Sequence, residues 1–355
     1  MKQLLKNLTK KTTQNFLLYT LGLILNKEKK TCTKIAGIFG ISHDRIYRIL
    51  NKTKMLSKLF PKLQISLIKH FSQNKKGYLI IDDTAILKPF SNWLPGVWYI
   101  FDTIFGRAEK GFRKVVLVWS NGNMTIPLDF NWFFSKNLVG DKYENKTKIA
   151  KQLILFCLKN NIKFRYILFD AHYSTIEMMN FLQKMRIKFV AKIACNRKVE
   201  ANNGIFELLK VHPLLKLSRN ERSKKMKATY YDMELYFSVH KRKNKNGEYN
   251  YVYIVSNINL YSKTYLKIYE QRWEIEKVFR TIKQLLGLNQ CFSRSLEKQE
   301  THIKFIFFAY SFLENEKNKN TLPNPESAAK LLRELKMEDA ISRITSFSEN
   351  FQCFA

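Results

Sequence analysis

The chain has 355 residues, 45% of them hydrophobic and 14% aromatic, which excludes a disordered or low-complexity protein and allows a large core divided among two or three domains. There are 62 Lys and Arg against 29 Asp and Glu, a net charge of +33. An excess of that size, spread from end to end, points to a polyanionic partner, nucleic acid before any other.

Residues 1–75 read as an N-terminal helical region. Within it, Thr31–Phe39, Gly40 and Ser42–Leu50 have the form of a helix-turn-helix. Gly40 tolerates positive φ, Ser42 is a good N-cap with Asp44 in the first turn, and Ile41 with Ile46 forms a hydrophobic staple. Two readings stay open: a DNA-binding motif presenting His43, Arg45, Tyr47 and Arg48 to DNA, or a plain helical hairpin.

From residue 76 the pattern becomes strand-like. Tyr78–Ile81 is a nearly continuous apolar run ending at Asp82-Asp83, as a buried central strand would read. Lys114–Trp119 and Met124–Phe134 follow, joined by Asn121-Gly122, a hairpin signal. Lys146–Lys159 reads as helix, Phe164–Phe169 as a second buried strand ending at Asp170, Thr175–Met185 as helix and Lys188–Ile193 as strand. The expected order is β-β-β-α-β-α-β over residues 76–196, with acids at the ends of its first and fourth strands, where an open sheet places its site.

Residues 197–250 break that rhythm with basic clusters at Arg222–Lys227 and His240–Lys245 and alternating segments such as Thr229–Val239; they read as a mostly β insertion. Tyr251–Val255 returns to the main sheet, opening a second part of that domain over 251–316. Beyond it, 317–355 reads as a linker at the Asn-rich stretch and Pro323, then amphipathic helices. The five cysteines are scattered without a CxxC, which fits a reduced cytosol and neither a zinc site nor a disulfide framework. Met1–Lys6 lacks the apolar run of a signal peptide, and runs such as Ile303–Phe312 are too short to span a bilayer, so no membrane association is expected.

The most specific feature is Tyr269, Arg272, Glu276 and Lys283. On one helix, at about 100° per residue, the four share a stripe about 60° wide. Ile268, Ile275, Phe279, Ile282 and Leu286 form a separate apolar stripe for the core. Alone, this could be an amphipathic helix with one i,i+4 pair contributing about 0.2–0.5 kcal/mol. Trp273, about 40° round from Tyr269 and outside both stripes, is expected in the core rather than stacked on an unpaired base. Two strand-end aspartates and a helical glutamate, however, make a hard oxygen donor set suited to Mg²⁺ or Mn²⁺. A pair of such ions about 3.5–4 Å apart activates a water or a 3′-hydroxyl and stabilises the leaving oxygen.

These motifs resemble the DDE transposases of bacterial insertion sequences, specifically the class with a Tyr-x2-Arg-x3-Glu-x6-Lys signature. Three blocks carry the likeness: Ile80-Ile81-Asp82-Asp83-Thr84, Leu168-Phe169-Asp170-Ala171-His172-Tyr173, and Tyr269 through Lys283. It spans roughly residues 30–290. The resemblance implies an α/β fold, an RNase H-like mixed sheet flanked by helices and interrupted by the β-rich insertion. It implies Asp83, Asp170 and Glu276 as catalytic metal ligands for two Mg²⁺ or Mn²⁺ ions, with Asp83 favoured over Asp82 because it immediately precedes Thr84. Tyr269, Arg272 and Lys283 become contacts to DNA phosphates. His172, where this class often carries a small residue, is expected in a polar surface turn. The implied activity is cleavage at the terminal inverted repeats and strand transfer into target DNA, by a homodimer in a bacterial, nucleoid-associated setting. A non-catalytic DNA-binding regulator and a nuclease of the same fold are the alternatives.

Overall fold

The computed structural model describes residues 10–72, 76–91, 93–102, 106–200, 206–244 and 246–352. Met1–Lys6, Lys245 and Cys353, considered above, lie outside them.

The sheet is organised around β1 (Gly77–Leu87), whose Leu79, Ile80 and Ile81 are fully buried. On one side β1 pairs antiparallel with β3 (Arg107–Ser120), which pairs antiparallel with β4 (Thr125–Phe133). The β3–β4 turn is the expected one: Gly122 has φ +91°, and the Asn121 side chain accepts from the backbone N–H of Asn123 and Met124. On its other side β1 runs parallel to β5 (Phe164–Phe169), and β5 parallel to β6 (Phe189–Lys192). The order β4-β3-β1-β5-β6, antiparallel on one flank of β1 and parallel on the other, is that of an RNase H-like fold.

One strand was not expected. Among the described residues β2 (Trp98–Asp102) pairs only with the first part of β3, beyond the point where β4 ends. Ile100 is buried between exposed Tyr99 and Phe101, but Trp98-Tyr99-Ile100-Phe101 is apolar or aromatic throughout, so the sequence carries no polar–apolar alternation to announce it.

The inserted segment is β-rich. β9 (Ser223–Tyr230), β10 (Met233–Lys243) and β11 (Tyr249–Ser256) form a meander, with short β7 (Lys198–Glu200) and β8 (Phe206–Leu208) outside it. β11 pairs antiparallel with β6, Val255 opposite Ala191, so the insertion extends the main sheet.

At the N-terminus, α1 (Lys10–Leu25) precedes α2 (Cys32–Ile38) and α3 (His43–Leu50), the two expected helices, and α4 (Thr53–Ser72) follows. Thr31 and Ser42 cap α2 and α3 through their side-chain oxygens, Gly40 has φ +59°, and Ile46 is fully buried. These helices close on a distant partner, α9 (Leu296–Lys319), which contains the apolar run Ile303–Phe312. Phe16 packs 4.9 Å from Phe305 and 5.1 Å from Phe308 between ring centroids, and Phe60 lies 5.0 Å from Phe305. Inside this core His302 Nδ1 meets the Tyr19 hydroxyl at 2.7 Å and Nε2 faces the Gly287 carbonyl at 3.1 Å; burial pulls the imidazole pKa down to about 4. Among the described residues no helix is long and apolar enough to cross a membrane.

Two helices complete the sheet's cover where it bears on the site. α5 (Lys146–Lys159) is capped by Asn145, which accepts from the Lys148 N–H at 2.7 Å; α6 (Ile176–Lys184) is capped by Thr175. The signature segment is not one helix. α7 (Ser262–Tyr269) gives way to a tightened turn at Glu270–Arg272, after which α8 (Trp273–Gln284) resumes. The apolar stripe holds, with Ile275, Ile282 and Leu286 fully buried. Trp273 does not join the core and is 54% exposed, as its place on α8 away from the apolar stripe of Ile275 and Ile282 requires.

Candidate active site

The strand register decides which acids meet. Parallel β1 and β5 place Ile81 opposite Phe169, so Asp82 and Asp170, each one residue further on, lie side by side, near enough for the charge of Asp170 to be felt at Asp82. Side chains alternate between faces, so Asp82 shares a face with Asp170 and Asp83 turns to the other.

Each aspartate has its own counter-charges. Arg272 donates from one Nη to Asp82 Oδ2 at 2.7 Å and from the other to Glu276, bridging a strand carboxylate and a helical one. Asp82 Oδ1 also accepts from the Asp83 N–H at 2.8 Å. Even so, burial, reinforced by the negative charge of Asp170, pushes the Asp82 carboxyl up to about 7 against the pull of Arg272. Asp83 behaves oppositely. Burial raises its pKa, but Lys146 at 2.7 Å and Arg113 at 2.6 Å outweigh that and hold it below the usual carboxylate range. The Tyr173 hydroxyl donates to Asp83 Oδ1 at 3.4 Å; burial, then the charges of Asp83, Asp82 and Asp170, drive the phenol well above its ordinary value. Asp170 Oδ1 accepts from the His172 N–H at 3.0 Å, so His172 sits in the expected turn.

Asp82, Asp170 and Glu276 are thereby drawn to one end of the sheet, Glu276 through the guanidinium it shares with Asp82. Tyr269 is buried behind Arg272, its ring centroid 5.8 Å from the guanidinium carbon, and burial lifts its phenol to about 12. Lys283 is half-buried further along α8. Arg45 is turned inward: its Nε donates to Asn15 at 2.6 Å and Nη2 to Gln14 at 2.7 Å, tying α3 to α1, whereas Arg48 is exposed.

Among the described residues no three carboxylates, imidazoles or thiols converge as a ready metal-ligand group; the guanidinium of Arg272 lies between two of the acids. The donor set nonetheless fits a divalent cation. All candidate donors are carboxylate oxygens, their mutual repulsion with burial disfavours ionised Asp82, and Arg272 Nε is buried without a hydrogen-bond partner. A cluster that strains to hold negative charge, with an unsatisfied group on its provisional counter-ion, has room for a stronger cation. A cleft of about 450 Å³, lined by His70, Asn121 and Asn315 among others, contains none of these residues.

Sequence reasoning did not single out Arg113, Lys146 or Tyr173. Tyr173 lies inside a quoted block and could have been weighed; the two cations are indistinguishable, in so basic a chain, from solvated surface charge.

An RNase H-like sheet with acids on its two central parallel strands and on a following helix defines a class of metal-dependent nucleases and strand transferases. The sequence profile of the DDE superfamily endonucleases matches residues 3–205, more than half of the chain, and the protein belongs to that family. The matched stretch includes Asp82, Asp83 and Asp170 and ends before Glu276. The chain is also similar to the probable transposase for insertion sequence element IS701 of Microchaete diplosiphon, 27% identical over 187 residues. That alignment covers 50% of this chain and 48% of the relative, so the chain spans about half the length of the curated relative it matches.

Proposed function

We propose that the protein is an insertion-sequence transposase that cleaves DNA at the element's ends and joins the freed 3′-hydroxyls to target DNA. Asp82, Asp170 and Glu276 are the metal ligands in this reading. The observation that carries it is the register of β1 on β5, which sets Asp82 beside Asp170 at the end of the sheet where Arg272 presents Glu276. It favours Asp82 over Asp83 as the strand ligand; Asp83, committed to Lys146 and Arg113, is a positioning residue. A Mg²⁺ or Mn²⁺ pair bound there supplies Lewis-acid activation of the attacking hydroxyl and neutralises charge on the scissile phosphate.

The chain's own groups do the rest. Arg272 neutralises Asp82 and Glu276 before substrate arrives and then turns its guanidinium to a phosphate, for which its two-pronged geometry is suited. Tyr269 walls that guanidinium on its buried side. Lys283, Arg113 and Lys146 add positive charge that holds the strand's backbone against the acids, and Arg48 on α3 contributes to gripping the element end. Arg45 acts by fixing α3 on α1. DNA as substrate implies a nucleoid location, and bringing two ends together implies a homodimer.

The test is cleavage of end-bearing DNA with Mg²⁺ by wild type, Glu276→Gln, Asp82→Asn and Asp83→Asn. Loss of cleavage in the first two, with partial activity in Asp83→Asn, is expected. Full activity of Glu276→Gln removes Glu276 from the mechanism, and loss with Asp83→Asn but not Asp82→Asn returns the ligand role to Asp83. Joining assays with a precut 3′ end separate a transposase from a nuclease that only hydrolyses.

A further inference from the structure

Four large aromatic side chains stand in solvent within the stretch 90–101: Phe90 is 96% exposed, Trp93 81%, Tyr99 64% and Phe101 59%. Solvent-facing rings at this density are unusual for a sheet edge and mark a binding surface. Tyr99 and Phe101, two apart on β2, share a face, and among the described residues β2 is an edge strand paired with β3 alone. Cations are interleaved with the rings. Lys110, opposite Tyr99 on β3, holds its ammonium 5.8 Å from the Tyr99 ring centroid.

The surface is anchored to the acid cluster from two sides. The Arg113 guanidinium donates through Nη1 to Asp83 Oδ2 at 2.6 Å and through Nη2 to the Phe101 carbonyl at 3.2 Å. One side chain therefore spans the gap between the aromatic strand and Asp83, the chain neighbour of Asp82. At the other end, Lys88 Nζ donates to the carbonyls of Asn289 and Cys291 at 2.9 and 2.7 Å. The β1–β2 loop is thus tied to the segment that follows the Glu276 helix.

We propose that β2 and the β1–β2 loop form a stacking platform for unpaired bases of a DNA strand beside the cleavage point. The inference rests on the DNA-processing reading above and adds a site to it. The occupant follows from the chemistry. Ring faces match base faces, which a duplex hides and a single strand offers; the interleaved cations and the net charge of +33 complement a phosphate backbone. An apolar protein partner would have no use for the cations.

The experiment measures binding of full-length protein to a labelled oligo-dT strand and to a blunt duplex of equal length, in EDTA at one fixed salt concentration. Trp93→Ala/Tyr99→Ala is expected to weaken single-strand binding about 5- to 150-fold per ring lost, with duplex binding within about twofold. Trp93→Phe/Tyr99→Phe should retain most of the affinity, whereas Trp93→Leu/Tyr99→Leu, apolar but unable to stack, should fall with the alanine pair. Unchanged single-strand binding by the alanine pair overturns the platform, as does full retention by the leucine pair. A shift from dimer to monomer in sedimentation with single-strand binding intact overturns it too and assigns the rings to a second copy of the chain. Wild type that binds neither strand nor duplex overturns the nucleic-acid reading and the platform with it, an outcome distinct from loss of the platform alone. The rings are exposed, so thermal unfolding should be alike in all variants.

Discussion

Asp82→Asn separates the stability of the acid cluster from its function. Holding Asp82 near 7 instead of its ordinary 3.8 disfavours the ionised fold by about 4 kcal/mol, at about 1.4 kcal/mol per pH unit. Asparagine keeps the shape and removes the charge, relieving burial and repulsion from Asp170. The pull of Arg272 is already contained in that shift, so the net expectation is a gain of up to about 4 kcal/mol at pH 8, or about 5 °C in Tm for a chain of this length. The sign follows from linkage. Because the folded pKa is raised, stability falls as pH rises from about 4 to about 7, while the unfolded chain has released the proton and the fold still holds it. The advantage of Asp82→Asn should therefore be absent near pH 4, grow to about pH 7 and stay level above. Thermal unfolding across pH 4–8.5, with and without Mn²⁺, tests this. Mn²⁺ at ten times its Kd should stabilise wild type by about 1.4 kcal/mol and leave Asp82→Asn unmoved. An Asp82→Asn protein less stable than wild type at pH 8, or a difference that ignores pH, would refute the reasoning.

Other outcomes follow from the same structure. Lys114 is fully buried, its Nζ 3.4 Å from the ring centroids of both Phe130 and Trp132 and without a hydrogen-bond partner, and burial lowers its pKa well below the usual value. Lys114→Met should stabilise the fold by about 1–2 kcal/mol at pH 7, and wild type alone should gain stability as pH rises toward 10.5, as urea titrations at several pH values would show. His302, lowered to about 4 from 6.5, should cost wild type up to about 3 kcal/mol as pH falls through that window; a His302→Asn variant should lack the pH slope. Duplex binding should drop about 10³–10⁵-fold between 50 and 200 mM salt if 6–10 phosphates are contacted, and a flat salt response in anisotropy titrations would contradict the DNA reading.

Much of the catalytic sheet was legible because its strands are buried on both faces and its helices are capped by their own side chains. Phe164–Phe169 and Lys146–Lys159 coincide with the expected bounds, since apolar runs and N-caps are local signals. The three acid-bearing blocks were legible too, as residue types at fixed spacings. Tertiary structure alone supplied the choice among neighbours. The family likeness in sequence favoured Asp83 over Asp82, whereas the pairing of Ile81 with Phe169 turns Asp82 toward Asp170 and leaves Asp83 to Arg113 and Lys146. The break between α7 and α8 at Glu270–Arg272, beside the Arg272 that meets two carboxylates, was hidden because helical periodicity assumes a uniform turn. β2 was hidden for the complementary reason: it is held by a backbone ladder to a strand later in the chain, and backbone hydrogen bonds leave no mark on side-chain pattern. Composition, caps and motif spacing thus determined the elements and the chemistry available, while register and long-range pairing decided which of those groups face one another.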